Sequence, residues 1–182
     1  MRIMLLAAGI AGAASAAGAA PFTLTSTSFT DGAVLDRKHA GNIPSNPNCL
    51  GANVSPQLSW SNLPAGTRSL AFLMVDPEGK LGLGVTHWVA YGVPATRTAF
   101  AEGEVSRPAS GWKAGRTSQG LTTYGGPCTP PDTSWHHYTW VAIATDLEPD
   151  ALPEELTREA LLEKLAGHAK DSTGLVGRFK HP

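Results

Sequence analysis

The chain has few of the features that usually announce a function. Only two cysteines occur in 182 residues, so neither a cysteine-rich scaffold nor a thiolate metal cluster can be built. Charged residues make up 16%, and 14 Lys and Arg against 15 Asp and Glu leave a formal net charge of -1. A basic face for nucleic acid is therefore not expected. Repeats, heptads and runs of like charge are missing, as are the G-x-S-x-G elbow, the H-E-x-x-H helix and the C-x-x-C pair of common catalytic sites. Gly82-Leu83-Gly84 leads into a strand pattern instead of a helix, so it is no dinucleotide fingerprint.

Hydrophobic residues at 42%, with 20 glycines and 14 prolines, suit one loop-rich β domain with a buried core. Residues 1–20 (MRIMLLAAGIAGAASAAGAA) stand apart from it. Arg2, an apolar stretch and then small residues are the layout of a secretory signal peptide, with cleavage expected after Ala16, Ala19 or Ala20. The segment is Gly- and Ala-rich and barely reaches the ~20 apolar residues of a membrane span, and no transmembrane span is expected after cleavage. The mature domain is then 21–182, secreted or periplasmic. Loss of Arg2 leaves 13 basic residues against 15 acidic ones. In an oxidising compartment Cys49 and Cys128 can bond; two buried free thiols are the alternative.

Phe22 to Phe29 alternates apolar and hydroxyl side chains, as a half-buried strand does. Gln57 to Trp60 is a short strand, and the apolar run Ser69 to Val75 predicts a strand buried on both faces. From Val85 to Val93, alternation predicts His87 on one face with Val89 and Tyr91, and Trp88 on the other. His136 to Thr145 predicts a long strand with His136, Tyr138 and Trp140 on one face, and Leu175 to Phe179 a final strand. Only Thr157 to Ala169 has helical character, with Thr157 as N-cap and a stripe of Leu161, Leu162 and Leu165. The five tryptophans read as core and pocket walls. The sum is an antiparallel, mainly β sandwich with one or two short helices near the C-terminus.

Reactive side chains gather at strand ends. Asp76 and Glu78 flank Pro77 just past the buried strand, where proline stiffens their relation. His136 and Tyr138 share a face, and Gly125-Gly126 could offer unshielded backbone N–H groups to an anion. His137 should face away from them. Taken alone, each feature also has a structural reading, as turn or core histidine.

Four ordered segments combine these residues. They are Cys49-Leu50-Gly51-Ala52-Asn53-Val54-Ser55-Pro56-Gln57-Leu58-Ser59-Trp60, Val75-Asp76-Pro77-Glu78, His87-Trp88-Val89 and Gly125-Gly126-Pro127-Cys128-Thr129-Pro130-Pro131 with His136-His137-Tyr138. Together they resemble the phosphatidylethanolamine-binding protein (PEBP) family, in its bacterial YbhB/YbcL or Raf-kinase-inhibitor-like branch. That resemblance implies a β-sandwich with a small surface pocket for phosphate-type anions, lined by Asp76, Glu78, His87, Gly126, Pro127, His136 and Tyr138. Glu78 stands where the commoner pattern has Asp. The resemblance also implies a Cys49–Cys128 disulfide. The implied partners are a small phosphorylated ligand or a phospholipid head group, and a protein that the domain modulates, with no cofactor or metal. A phosphate beside Asp76 would be repelled unless that carboxylate were committed elsewhere. The expectation is that it accepts a hydrogen bond from an imidazole and favours the charged ring. The alternatives are a hydrolase using the histidines and carboxylates as general acid and base or as metal ligands, and a protease or kinase inhibitor.

Overall fold

A computed structural model describes residues 19–131 and 133–182. Residues 1–18, which hold most of the expected signal peptide, lie outside the described residues. Among the described residues nine strands form two sheets. The smaller sheet has the order β1 (Thr23–Thr25), β3 (Leu58–Ser61) and β6 (Ala99–Phe100). The larger has the order β2 (Ala33–Val34), β9 (Ala169–Phe179), β8 (His136–Thr145), β4 (Ser69–Asp76), β5 (Val85–Pro94) and β7 (Lys113–Ala114). Every pairing is antiparallel except β2 on β9, a two-residue parallel edge.

Strand β4 sits at the centre because both of its faces are apolar. Leu70, Phe72 and Met74 point into the core between the sheets, beside Trp60, Trp88, Phe100 and Trp140. Ala71 and Leu73 point the other way, against Val89, Tyr91, Leu161 and Leu165. That outer layer is closed by helix α2 (Arg158–Leu165), whose N-cap Thr157 accepts a hydrogen bond from the Ala160 N–H at 3.3 Å. The helix stops at Leu165, short of the expected Ala169, because Gly167 takes a left-handed φ of 81° and turns the chain into β9. Leu162 lies on the exposed side of the helix, outside the expected stripe. The other helical piece, α1 (Gly79–Gly82), is a single turn near the middle of the chain, not near the C-terminus. Two of its residues, Lys80 and Leu81, are left-handed, with φ of 52° and 61°.

Cys49 and Cys128 form a disulfide across 79 positions of sequence. It ties the irregular stretch before β3 to the loop that precedes β8. Of the tryptophans, Trp60, Trp88 and Trp140 are core, while Trp112 is partly buried under Arg97 and Trp135 lies beneath Arg178 and Lys180.

Candidate functional site

At one end of the large sheet the polar residues of three neighbouring strands meet. Asp76 ends β4 on the same face as Phe72 and Met74, so its carboxylate enters the buried side. Tyr138 and His136 begin β8 on the face shared with Trp140. His87 arrives by a different route. Regular alternation would send it toward helix α2 with Val89 and Tyr91, which is where the sequence pattern puts it. Pairing instead slips between Met74↔Trp88 and Val75↔Thr86, and the extra residue in this bulge is His87. The imidazole is thereby carried to the Trp88 side, 3.8 Å from Asp76 and edge-on to Tyr138 at 5.1 Å between ring centres.

Asp76 is 3% exposed, and both of its oxygens are occupied. Oδ1 accepts the backbone N–H groups of Glu78 at 3.0 Å and Gly79 at 3.1 Å. Oδ2 accepts Nδ1–H of His136 at 2.7 Å and lies 3.8 Å from Nε2 of His87, within ion-pair range but too long for a direct hydrogen bond. Burial alone would raise this carboxyl; the His87 and His136 imidazoles outweigh it and hold Asp76 below its ordinary range. The Tyr138 phenol is pushed far above its usual range, chiefly by burial and then by the Asp76 charge. His87 Nδ1 donates to the Gly125 carbonyl at 2.7 Å, which fixes its ring plane. Since ionised Asp76 can only accept, His136 Nδ1 carries a proton. Its Nε2 bears a hydrogen only when the ring is charged.

A cavity of about 200 Å³ opens onto this group, lined by Asp76, His87, His136 and Tyr138. Lys80, Asn46, Gln119 and Thr129 add to its wall; of these only Thr129 stands in the segments singled out in the sequence, and there without a role. Lys80 follows directly on the Asp76-Pro77-Glu78-Gly79 turn, so a cation beside that turn was the available signal. Asn46 and Gln119 reach the site from irregular loops and carry no such mark.

Three expected residues do not line this cavity. Glu78 turns outward and clasps His137, taking its backbone N–H at 3.0 Å and its Nδ1–H at 2.9 Å. Gly126 and Pro127 form the backing behind the wall. The Gly126 N–H donates to Asn53 Oδ1 at 2.7 Å, and the Pro127 carbonyl accepts the Gly41 N–H at 2.8 Å. The Gly125 N–H is likewise spent on the His87 carbonyl at 3.0 Å, so the expected anion nest of free N–H groups does not form. Asn53 is the residue missed here: it also donates Nδ2–H to the Tyr124 carbonyl at 3.0 Å, locking the glycine loop to the segment before β3.

Across the Gly79–Gly84 loop lies a larger cavity of about 390 Å³, on the helix side of the sheet, lined in part by Val75, Thr86, Thr139 and Arg158. Among the described residues no three His, Cys, Asp or Glu side chains are arranged to hold a metal ion, and no helix is long and apolar enough to cross a membrane.

A family model described as "Phosphatidylethanolamine-binding protein" matches residues 25–180. A UPF0098 protein of Aquifex aeolicus is 32% identical over 144 residues, covering 79% of this chain and 84% of that one. The UPF0098 protein YbcL of Escherichia coli K12 is 32% identical over 152 residues, 81% of each chain. The crystal structure of YbcL, described as a new member of the mammalian PEBP family, aligns with a TM-score of 0.79 at 28% identity. The alignment covers 88% of this chain and 99% of YbcL.

Proposed function

The chain belongs to the phosphatidylethanolamine-binding protein family, and from that premise we propose that it is an exported binding protein whose 200 Å³ cavity holds a phosphate-type anion. The observation that carries the reading is the commitment of Asp76. With Oδ1 on two backbone N–H groups and Oδ2 hydrogen-bonded to His136 and 3.8 Å from the His87 ring, the carboxylate charge is met by donors and imidazoles instead of standing bare before an anion. When the His136 ring is protonated it pairs with this charge, and its Nε2–H is then a charged donor for the ligand. Lys80 adds a second positive group on the wall. Recognition thus uses side chains, and the glycine loop serves as a rigid support.

The hydrolase alternative has less support. The Tyr138 phenol is held protonated and the Thr129 hydroxyl is buried, so neither serves as a nucleophile beside His136. The disulfide favours an oxidising compartment, and with the apolar N-terminal residues it supports export to the periplasm or beyond. A protein partner modulated by this domain is compatible with the family but is favoured by no single contact.

Thermal shift with inorganic phosphate and phosphoethanolamine tests the proposal. At 100 times its Kd a ligand stabilises by about 2.7 kcal/mol, a rise in Tm of about 5–10 °C for a domain of this size. The shift should be largest near pH 5.5, fade as pH rises through the imidazole range, and vanish in His136→Ala. No shift with either anion, or the same affinity at pH 5.5 and 8, would refute it.

A further inference from the structure

Arg158 is badly placed for a residue whose only duty is to build helix α2. It opens the first turn, where the helix dipole disfavours a cation. Its Nε is buried without a hydrogen-bond partner. Its Nη1 lies 3.6 Å from Glu159 Oε1, beyond hydrogen-bond range, and the Glu159 side chain is 74% exposed. Such a surface pair contributes little to folding. The guanidinium is thus held at the protein surface with its fork largely unspent.

It borders the 390 Å³ cavity on the helix side of the sheet, a volume within the range of about 300–1,000 Å³ found for small-molecule sites. The floor of this cavity is one row across three strands. Thr139 of β8 lies opposite Val75 of β4, and Val75 opposite Thr86 of β5. All three therefore leave the sheet on the face away from Met74 and the core between the sheets. The row presents two hydroxyls with a valine between them. Val85 and Leu83 add apolar wall, and Leu83 is 87% exposed, with nothing covering it. The cavity shares Asp76 and Val85 with the anion cavity, but it includes neither imidazole, and the Asp76 carboxylate is turned to His136 on the other side.

We infer that this cavity is a second binding site, for a small monocarboxylate with an apolar arm. Arg158 takes the carboxylate, the Thr86 and Thr139 hydroxyls take a neighbouring polar group, and Leu83 covers the arm. A guanidinium matches a carboxylate through two parallel N–H bonds. A single negative charge fits better than a phosphate dianion, because Arg158 is the one cation on this wall and Glu159 stands beside it, whereas Lys80 lines the other cavity. Glu159 is exposed enough to swing aside when the ligand arrives.

Calorimetric titration of the protein with N-acetyl-leucine and with its uncharged amide tests this. The acid should bind, and the amide should bind about tenfold more weakly. Arg158→Gln should lose the same factor for the acid while its Tm holds or rises, since the helix start sheds a cation. Leu83→Ser, a change on an exposed loop, should weaken acid and amide alike about threefold. Glu159→Gln should tighten the acid about twofold. His136→Ala should bind the acid as the wild type does, because His136 does not line this cavity. No binding of the acid, equal affinity for acid and amide, or undiminished binding by Arg158→Gln would overturn the inference. Loss of binding in His136→Ala would overturn it too, by moving the acid to the anion cavity.

Discussion

Removing the Asp76 carboxylate should unfasten the site and cost stability, in amounts that differ between two substitutions. Asp76→Ala strands the Gly79 N–H, which is buried, and the His136 Nδ1–H, which is nearly so, and frees the Glu78 N–H. A buried donor left without a partner costs about 1–3 kcal/mol, so two of them set an expected loss of about 3–5 kcal/mol. Asp76→Asn keeps an oxygen for the two turn bonds and loses the charge facing the imidazoles, for about 1–2 kcal/mol. Urea unfolding of the oxidised protein, followed by tryptophan fluorescence, reads both as shifts in midpoint at constant slope.

The pH dependence has a defined sign. Because the folded Asp76 carboxyl titrates below its ordinary range, its contribution is fully present above the unfolded carboxylate pKa of about 3.9 and is lost as pH falls through the lower folded value. On the acid side the gap between wild type and Asp76→Asn should therefore close below about pH 4. An Asp76→Ala protein within 0.5 kcal/mol of wild type would refute the account of the carboxylate as the fastener of this end of the sheet.

Two further perturbations probe the supports of the cavity. Gly126→Ala places a methyl group 2.2 Å from the His39 carbonyl oxygen and 2.7 Å from the Gly41 nitrogen, both backbone atoms. The expected cost is about 2–3 kcal/mol, a fall in Tm of about 5–10 °C; an unchanged melt would deny the close approach. Cys49→Ser/Cys128→Ser releases a 79-position loop, worth up to about 4.5 kcal/mol in the chain-entropy picture, and should also weaken phosphate binding because Cys128 is part of the cavity wall. Mass spectrometry without reductant should show the intact wild type lacking two hydrogens, and two free thiols in exported material would contradict the bridge.

The central strands were legible because both faces of β4 are apolar, a pattern that survives in one dimension. Alternation also placed Tyr138 and His136 together, since β8 pairs with β9 without interruption over this stretch. It failed for His87 because a bulge depends on how two strands pair, which composition within one strand does not record. The first half of β9 was missed for another reason. Residues 169–174 are mostly polar and exposed, and they are held by their ladder to β8, which leaves no hydrophobic period to read. The anion nest was misjudged because spare N–H groups were counted from glycines alone, while their acceptors, Asn53 and the His87 carbonyl, come from elsewhere in the chain.

The slip within β5 separates two duties along one strand. Beyond it, Val89 and Tyr91 answer only to the helical layer and Trp88 to the space between the sheets. Substitutions that tune packing there can accumulate without re-aiming the imidazole. Deleting a single residue at the slip would do the opposite: it would turn the ring toward the helix and out of the cavity while preserving the fold.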